Sequence, residues 1–146
     1  MLAERLRHFE QILADALQRL TQISEAQSEE RLAPGKWSRK EILGHLIDSA
    51  SNNHQRFVRT QLASQVSFPG YTQTEWVEMQ GYQSESWENL IQLWAAFNRH
   101  MLHLISRIPE ARADNRCVVG GGEPVTLRFL VEDYTRHLEH HLSQIF

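Results

Sequence analysis

Apolar residues return every three to four positions along most of the chain, and that spacing predicts four long amphipathic helices. Leu2, Leu6, Phe9, Leu13, Ala16, Leu17, Leu20 and Ile23 form the first stripe, so a helix is expected over residues 2–24. The segment "SEAQSEERLAPGK" breaks it, with Pro34 and Gly35 as punctuation. In "WSRKEI", Ser38 and Glu41 have the spacing of a capping box, and Trp37 and Ile42 occupy the hydrophobic staple positions around it. A second helix is therefore expected over residues 39–62, with Ile42, Leu43, Leu46, Ile47, Ala50, Phe57 and Val58 facing inward, and Trp37 is read as the staple.

Residues 66–83 are rich in aromatic and turn-forming residues and too long for a tight turn, so they should cross the bundle, with a short helix near Glu75–Met79. Leu90, Ile91, Trp94, Phe97, Met101, Leu104, Ile105 and Ile108 mark the third long helix, which Pro109 ends. "ADNRCVVGGGEP" reads as a loop or small hairpin. It lacks the Lys-Ser/Thr of a phosphate loop. The last helix opens at Thr126 as N-cap and carries Leu127, Leu130, Val131, Tyr134, Leu138, Leu142 and Ile145. The expected fold is all-α: a four-helix bundle with a long crossover between helices two and three, in one domain over residues 1–146.

Composition narrows the function. A hydrophobic share of 41% with 23% charged residues suits a globular protein, and no apolar run approaches the ~18 residues of a membrane span. The start "MLAERLRHFE" is charged, unlike a signal or transit peptide. The single cysteine, Cys117, excludes an intrachain disulfide and suits a reducing compartment, so a cytoplasmic protein is expected. A net charge of −3 and the lack of any basic block argue against a nucleic-acid partner.

Eight histidines leave metal chemistry open. His137 and His141, four apart, share one side of the last helix beside Leu130, Tyr134 and Leu138, whereas His140 is rotated toward solvent. Such a pair can present two imidazoles to one metal, but two histidines four apart also recur by chance. A third ligand must come from another helix. His45 lies at the flank of the second apolar stripe, with Gly44 leaving space beside it and Ser49 and Asn52 continuing its semi-polar edge. His54, nine residues on, is out of phase with it. His8, His100 and His103 read as surface histidines.

The segments "GKWSRKEILGHLIDSASNN", "FPGYTQTEWVEMQGY" and "TLRFLVEDYTRHLEHHLSQI" resemble, in order and separation, the DinB/YfiT-like superfamily of metal-dependent enzymes. The resemblance covers nearly the whole chain and is most specific at W-S-x-x-E-x-x-x-H-L and at the closing H-x-x-x-H-x-x-Q. It implies a divalent metal, zinc or nickel, held by His45, His137 and His141. It implies hydrolysis or thiol-dependent S-transfer on a small molecule, with a low-molecular-weight thiol as one candidate partner, and it accommodates a homodimer. It leaves the catalytic acid or base unassigned. Asp48 and Asp133 are nominated to orient an imidazole or accept a proton, with a solvated carboxylate as the favoured reading of each, and Gln144 has no role. A non-catalytic bundle with a structural or vestigial site is the alternative. Ordinary imidazole pKa values of ~6.5 would make metal affinity fall steeply from about pH 7 to about pH 5.

Overall fold

The computed structural model describes residues 2–146. Four long helices, α1 (Leu2–Leu20), α3 (Arg39–Gln61), α5 (Trp87–Ser106) and α6 (Leu127–Ile145), form the bundle. Two short ones, α2 (Glu25–Glu29) and α4 (Gln73–Gln80), lie in the connections. The helix α3 packs on α5 and α6, and so does α1, which leaves α1 and α3 on one diagonal and α5 and α6 on the other. Helices consecutive along the bundle are thus opposed across the core in both halves. No helix among the described residues is long and apolar enough to cross a membrane.

The first helix stops at Leu20, earlier than its apolar spacing suggests, because the next residues close turns and Ser24 begins a new capped element. The Ser24 hydroxyl accepts from the Gln27 amide and the Gln27 side chain accepts from the Ser24 amide, a second capping box inside what reads as an interruption. From α2, Glu25 and Glu29 reach Lys40 Nζ at 2.6 and 3.2 Å. Lys40 is 1% exposed, so it requires this double pairing.

The capping box of α3 forms as expected: Ser38 Oγ accepts from the Glu41 amide at 3.2 Å, and Glu41 Oε1 accepts from the Ser38 amide at 3.0 Å. Ser38 is fully buried, and its hydroxyl also donates to Gln83 from the long α3–α5 connection. Ser38→Ala is therefore expected to lower stability by about 1–2 kcal/mol, toward the upper part of the range for a lost cap. Unchanged denaturant midpoints for the variant would show that the cap is idle.

Residues 40–50 of α3 are buried on every side, whereas the sequence pattern suggests a single inward stripe. Helices α5 and α6, the short α2 and the α3–α5 connection all pack against α3. Toward its far end the cover thins, and Val58, expected inside, is 37% exposed.

The α3–α5 connection carries β1 (Gln65–Phe68) and then α4, which contains the expected short helix. The glycine-rich segment before α6 does form a hairpin, β2 (Arg116–Val119) with β3 (Val125–Thr126). Nothing in the local pattern announces that β1 joins it, yet β1 pairs in parallel with β2, Val66 opposite Cys117, in a three-stranded sheet. Thr126 then caps α6 by accepting from the Phe129 amide.

Candidate metal centre

The first turns of α3 and the last turns of α6 meet, and the two helices bring three histidines together. The candidate ligand atoms of His45, His137 and His141 all lie within 4.8 Å of one another. The Nε2 atoms of His45 and His137 are 3.1 Å apart. Ring centroids are separated by 5.0 Å for His45–His137, 4.7 Å for His45–His141 and 4.5 Å for His137–His141. Two imidazoles on one ion at ~2.0–2.1 Å have their nitrogens ~3.0 Å apart at a right angle and ~3.4 Å apart at the tetrahedral angle. The 3.1 Å between the His45 and His137 nitrogens falls inside that interval. That pair therefore fits a divalent ion that accepts nitrogen ligands, and His141 lies beside it as the third donor.

The outer ring nitrogens are held unequally. His141 Nδ1 lies 2.9 Å from Gln144 Oε1, an acceptor that fixes its tautomer and leaves Nε2 free. His137 Nδ1 is 3.5 Å from Ser49 Oγ, at the long limit of a hydrogen bond. His45 Nδ1 is buried without a partner. Trp37 packs its ring against His45 with centroids 5.0 Å apart. The local pattern marks Trp37 only as a staple and assigns Gln144 no role. The i, i+3 spacing of His141 and Gln144 is the available signal for the second.

Burial, followed by the nearby His137 and His141, pushes the His45 imidazole down to about 3. Burial and His141 push His137 to about 4 against the opposing charge of Asp133. His141 is lowered chiefly by burial. All three are neutral near pH 7, the form that can ligate. Their folded pKa values lie below the unfolded value of ~6.5, so on acidification the unfolded chain takes up protons that the folded chain refuses. Stability of the metal-free protein is full above about pH 6.5 and is lost as pH falls toward the folded values, His45 contributing about 1.4 kcal/mol per unit. Melting metal-free protein at about pH 7, 6 and 5 should give steadily falling midpoints, and constant midpoints would mean that the imidazoles are not held neutral. Proton competition with a metal at His45 and His137 likewise moves below the pH 7–5 window that unperturbed histidines suggest, and at His141 it moves in the same direction.

Asp48 corrects the favoured reading of a solvated carboxylate. It is 2% exposed, and its Oδ1 accepts from Tyr82 Oη at 2.7 Å and from Gln80 Nε2 at 2.8 Å. None of its hydrogen bonds reaches a histidine; it ties the α3–α5 connection to α3. Burial raises its pKa against those two bonds. Asp133 is a surface carboxylate beside Arg136 at 3.3 Å. His140 is exposed, as is His8, which bonds Glu139 at 2.7 Å. His54 stays out of the cluster and packs instead against Phe97 and His100.

His141 and Gln144 open onto a cleft of about 570 Å³ walled by Leu32, Trp37 and Ile42, with Gly35, Lys36 and Thr74 completing its lining. The α1–α5 face carries a groove of comparable volume, about 530 Å³, that contains no histidine.

The family model of the DinB superfamily matches residues 8–145. The curated proteins give no match. Among solved structures, YfiT from Bacillus subtilis, described as a probable metal-dependent hydrolase with an unusual four-helix bundle topology, aligns with a TM-score of 0.88 at 18% identity. The alignment covers 99% of this chain and 83% of that one. A mycothiol-dependent maleylpyruvate isomerase aligns with a TM-score of 0.82 at 15% identity, covering 99% of this chain and 60% of the isomerase, so this chain spans less than two thirds of it. At these identities the structural likeness speaks for the fold. With the family match running over nearly its whole length, the chain belongs to the DinB superfamily.

Proposed function

We propose that the protein is a metal-dependent enzyme acting on a small molecule, with His45, His137 and His141 as the ligands of a divalent ion. The observation that carries this reading is the convergence of three neutral imidazoles beside an open cleft. A divalent ion held there would supply Lewis acidity, bringing a bound water toward a pKa of ~7 or holding a thiol as its thiolate. With three protein ligands, further coordination positions remain for water or substrate.

The chain's own residues set the conditions. Gln144 holds His141 in the tautomer that presents Nε2. Trp37 covers His45 and, with Leu32 and Ile42, offers an apolar wall for the body of a substrate. Lys36 is the one fully charged side chain in the cleft lining and favours a substrate with an acidic group on that body. Asp48 is bonded to Tyr82 and Gln80, and Glu41 to the Ser38 amide and Arg31, so neither carboxylate of α3 is assigned as the base.

Hydrolysis and thiol transfer separate in one experiment. Cobalt-substituted protein is titrated with low-molecular-weight thiols and, separately, assayed on aryl esters and amides. A thiolate charge-transfer band with no ester or amide turnover assigns S-transfer, and turnover without the band assigns hydrolysis. Bound metal with neither supports a non-catalytic bundle and overturns the enzyme reading. Failure to bind any divalent ion overturns the ligand assignment itself.

A further inference from the structure

A second group of histidines lies on another side of α3. His54, half-buried, and the exposed His100 of α5 have ring centroids 5.3 Å apart at an interplanar angle of 68°. The nitrogen-to-metal length used above puts two imidazole centroids ~4.5 Å apart at a right angle and ~5.2 Å apart at the tetrahedral angle. The His54–His100 centroid separation lies close to the tetrahedral value and beyond the right-angle one. His103, one turn further along α5, has its centroid 6.3 Å from that of His100 and falls outside this distance. His54 is nine residues from His45, about 13 Å along the helix axis and half a turn out of phase. A second ion there would be far beyond the ~3.5–4 Å of a two-metal catalytic pair.

We propose that His54 and His100 form a second metal site, on the α3–α5 face, taking a divalent transition ion whose other positions are filled by water. Phe97, with its ring centroid 5.8 Å from that of His54, holds the His54 ring on one side. Burial, followed by the neighbouring His100, lowers the His54 pKa, so the ring is neutral near pH 7 and ready to ligate. A donor set of nitrogen alone selects against magnesium and calcium, and the tetrahedral separation suits zinc better than copper, which prefers a tetragonal arrangement. Two imidazoles bind more weakly than three, so this site fills after the centre at His45, His137 and His141.

The test is Zn²⁺ uptake by the whole protein in equilibrium dialysis, with Mg²⁺ as the control ion. Wild type should bind one more Zn²⁺ per chain than the variant carrying both His54→Ala and His100→Ala. His103→Ala, His8→Ala and His140→Ala should match wild type, and Mg²⁺ should not bind at this site. Because the readout is a difference, it holds whether or not the first centre takes an ion. The single variant His100→Ala, at an exposed position, should also lose the extra ion and serves if the double variant is unstable. Equal uptake by wild type and His100→Ala, or loss of the extra ion with His140→Ala or His8→Ala instead, overturns the proposal.

Discussion

Alanine at His45, His137 or His141 is expected to remove the tightly bound divalent ion, while His140→Ala keeps it. Each of the first three substitutions deletes one of three nitrogen donors, which should cost on the order of 3 kcal/mol or more of metal affinity, above a hundredfold. His140 is the adjacent control: it is exposed and, although its ring lies 4.9 Å from that of His141, it is not one of the three clustered ligands. Metal content by elemental analysis, with helicity confirmed for each variant, reads the result directly. Loss of the ion in His140→Ala together with retention in His137→Ala would falsify the assignment. His45→Ala carries an additional expectation. It also removes a buried ring against which Trp37 packs, so its thermal midpoint without metal should fall below those of the other two variants.

Gly44→Ala is expected to destabilise the fold by about 3 kcal/mol, combining overpacking with strain on a buried hydrogen bond. A Cβ at Gly44 would lie 2.1 Å from Tyr82 Cδ2 and 2.3 Å from Cγ. The Tyr82 ring is 3% exposed and pinned by its hydroxyl on Asp48, so it has little room to retreat. In a Tyr82→Ala background the sign should reverse. Without the ring, replacing a helical glycine by alanine should stabilise by up to about 1 kcal/mol. Chemical denaturation of the four proteins in this cycle measures both numbers, and a Gly44→Ala cost that survives removal of Tyr82 would place the clash elsewhere. Since His45 follows Gly44 directly, the single variant should also bind metal less tightly.

The bundle was legible because its signals are local and repeated. Apolar periodicity marked α1, α3, α5 and α6, and Ser38–Glu41 and Thr126 marked two helix starts through side chains that satisfy nearby amides. The three histidines owe their assignment to the family resemblance as much as to spacing, since helical phase pairs His137 with His141 but says nothing about which helix faces them. What stayed hidden depends on contacts distant in sequence. Asp48 looks like any helix carboxylate until Tyr82, thirty-four residues later, donates to it. Trp37 looked like a staple because nothing in the local pattern places His45 under its ring. Parallel pairing of β1 with β2 joins segments some fifty residues apart, and four-residue strands carry too little periodicity to announce a partner.

That strand pairing ties the two bundle connections together as units of evolutionary change. In an ordinary four-helix bundle each loop can gain or lose residues independently. Here Val66 and Phe68 alternate toward the core while Gln65 and Ser67 face out, in register with residues 116–119. A one-residue insertion between Val66 and Phe68 would put the two apolar side chains on opposite faces of the strand and turn one of them to water. Length variation among relatives is therefore expected after Phe68 and within residues 120–124, with residues 65–68 and 116–119 inherited as one ungapped pair. An engineer grafting a new loop into this scaffold faces the same two permitted windows.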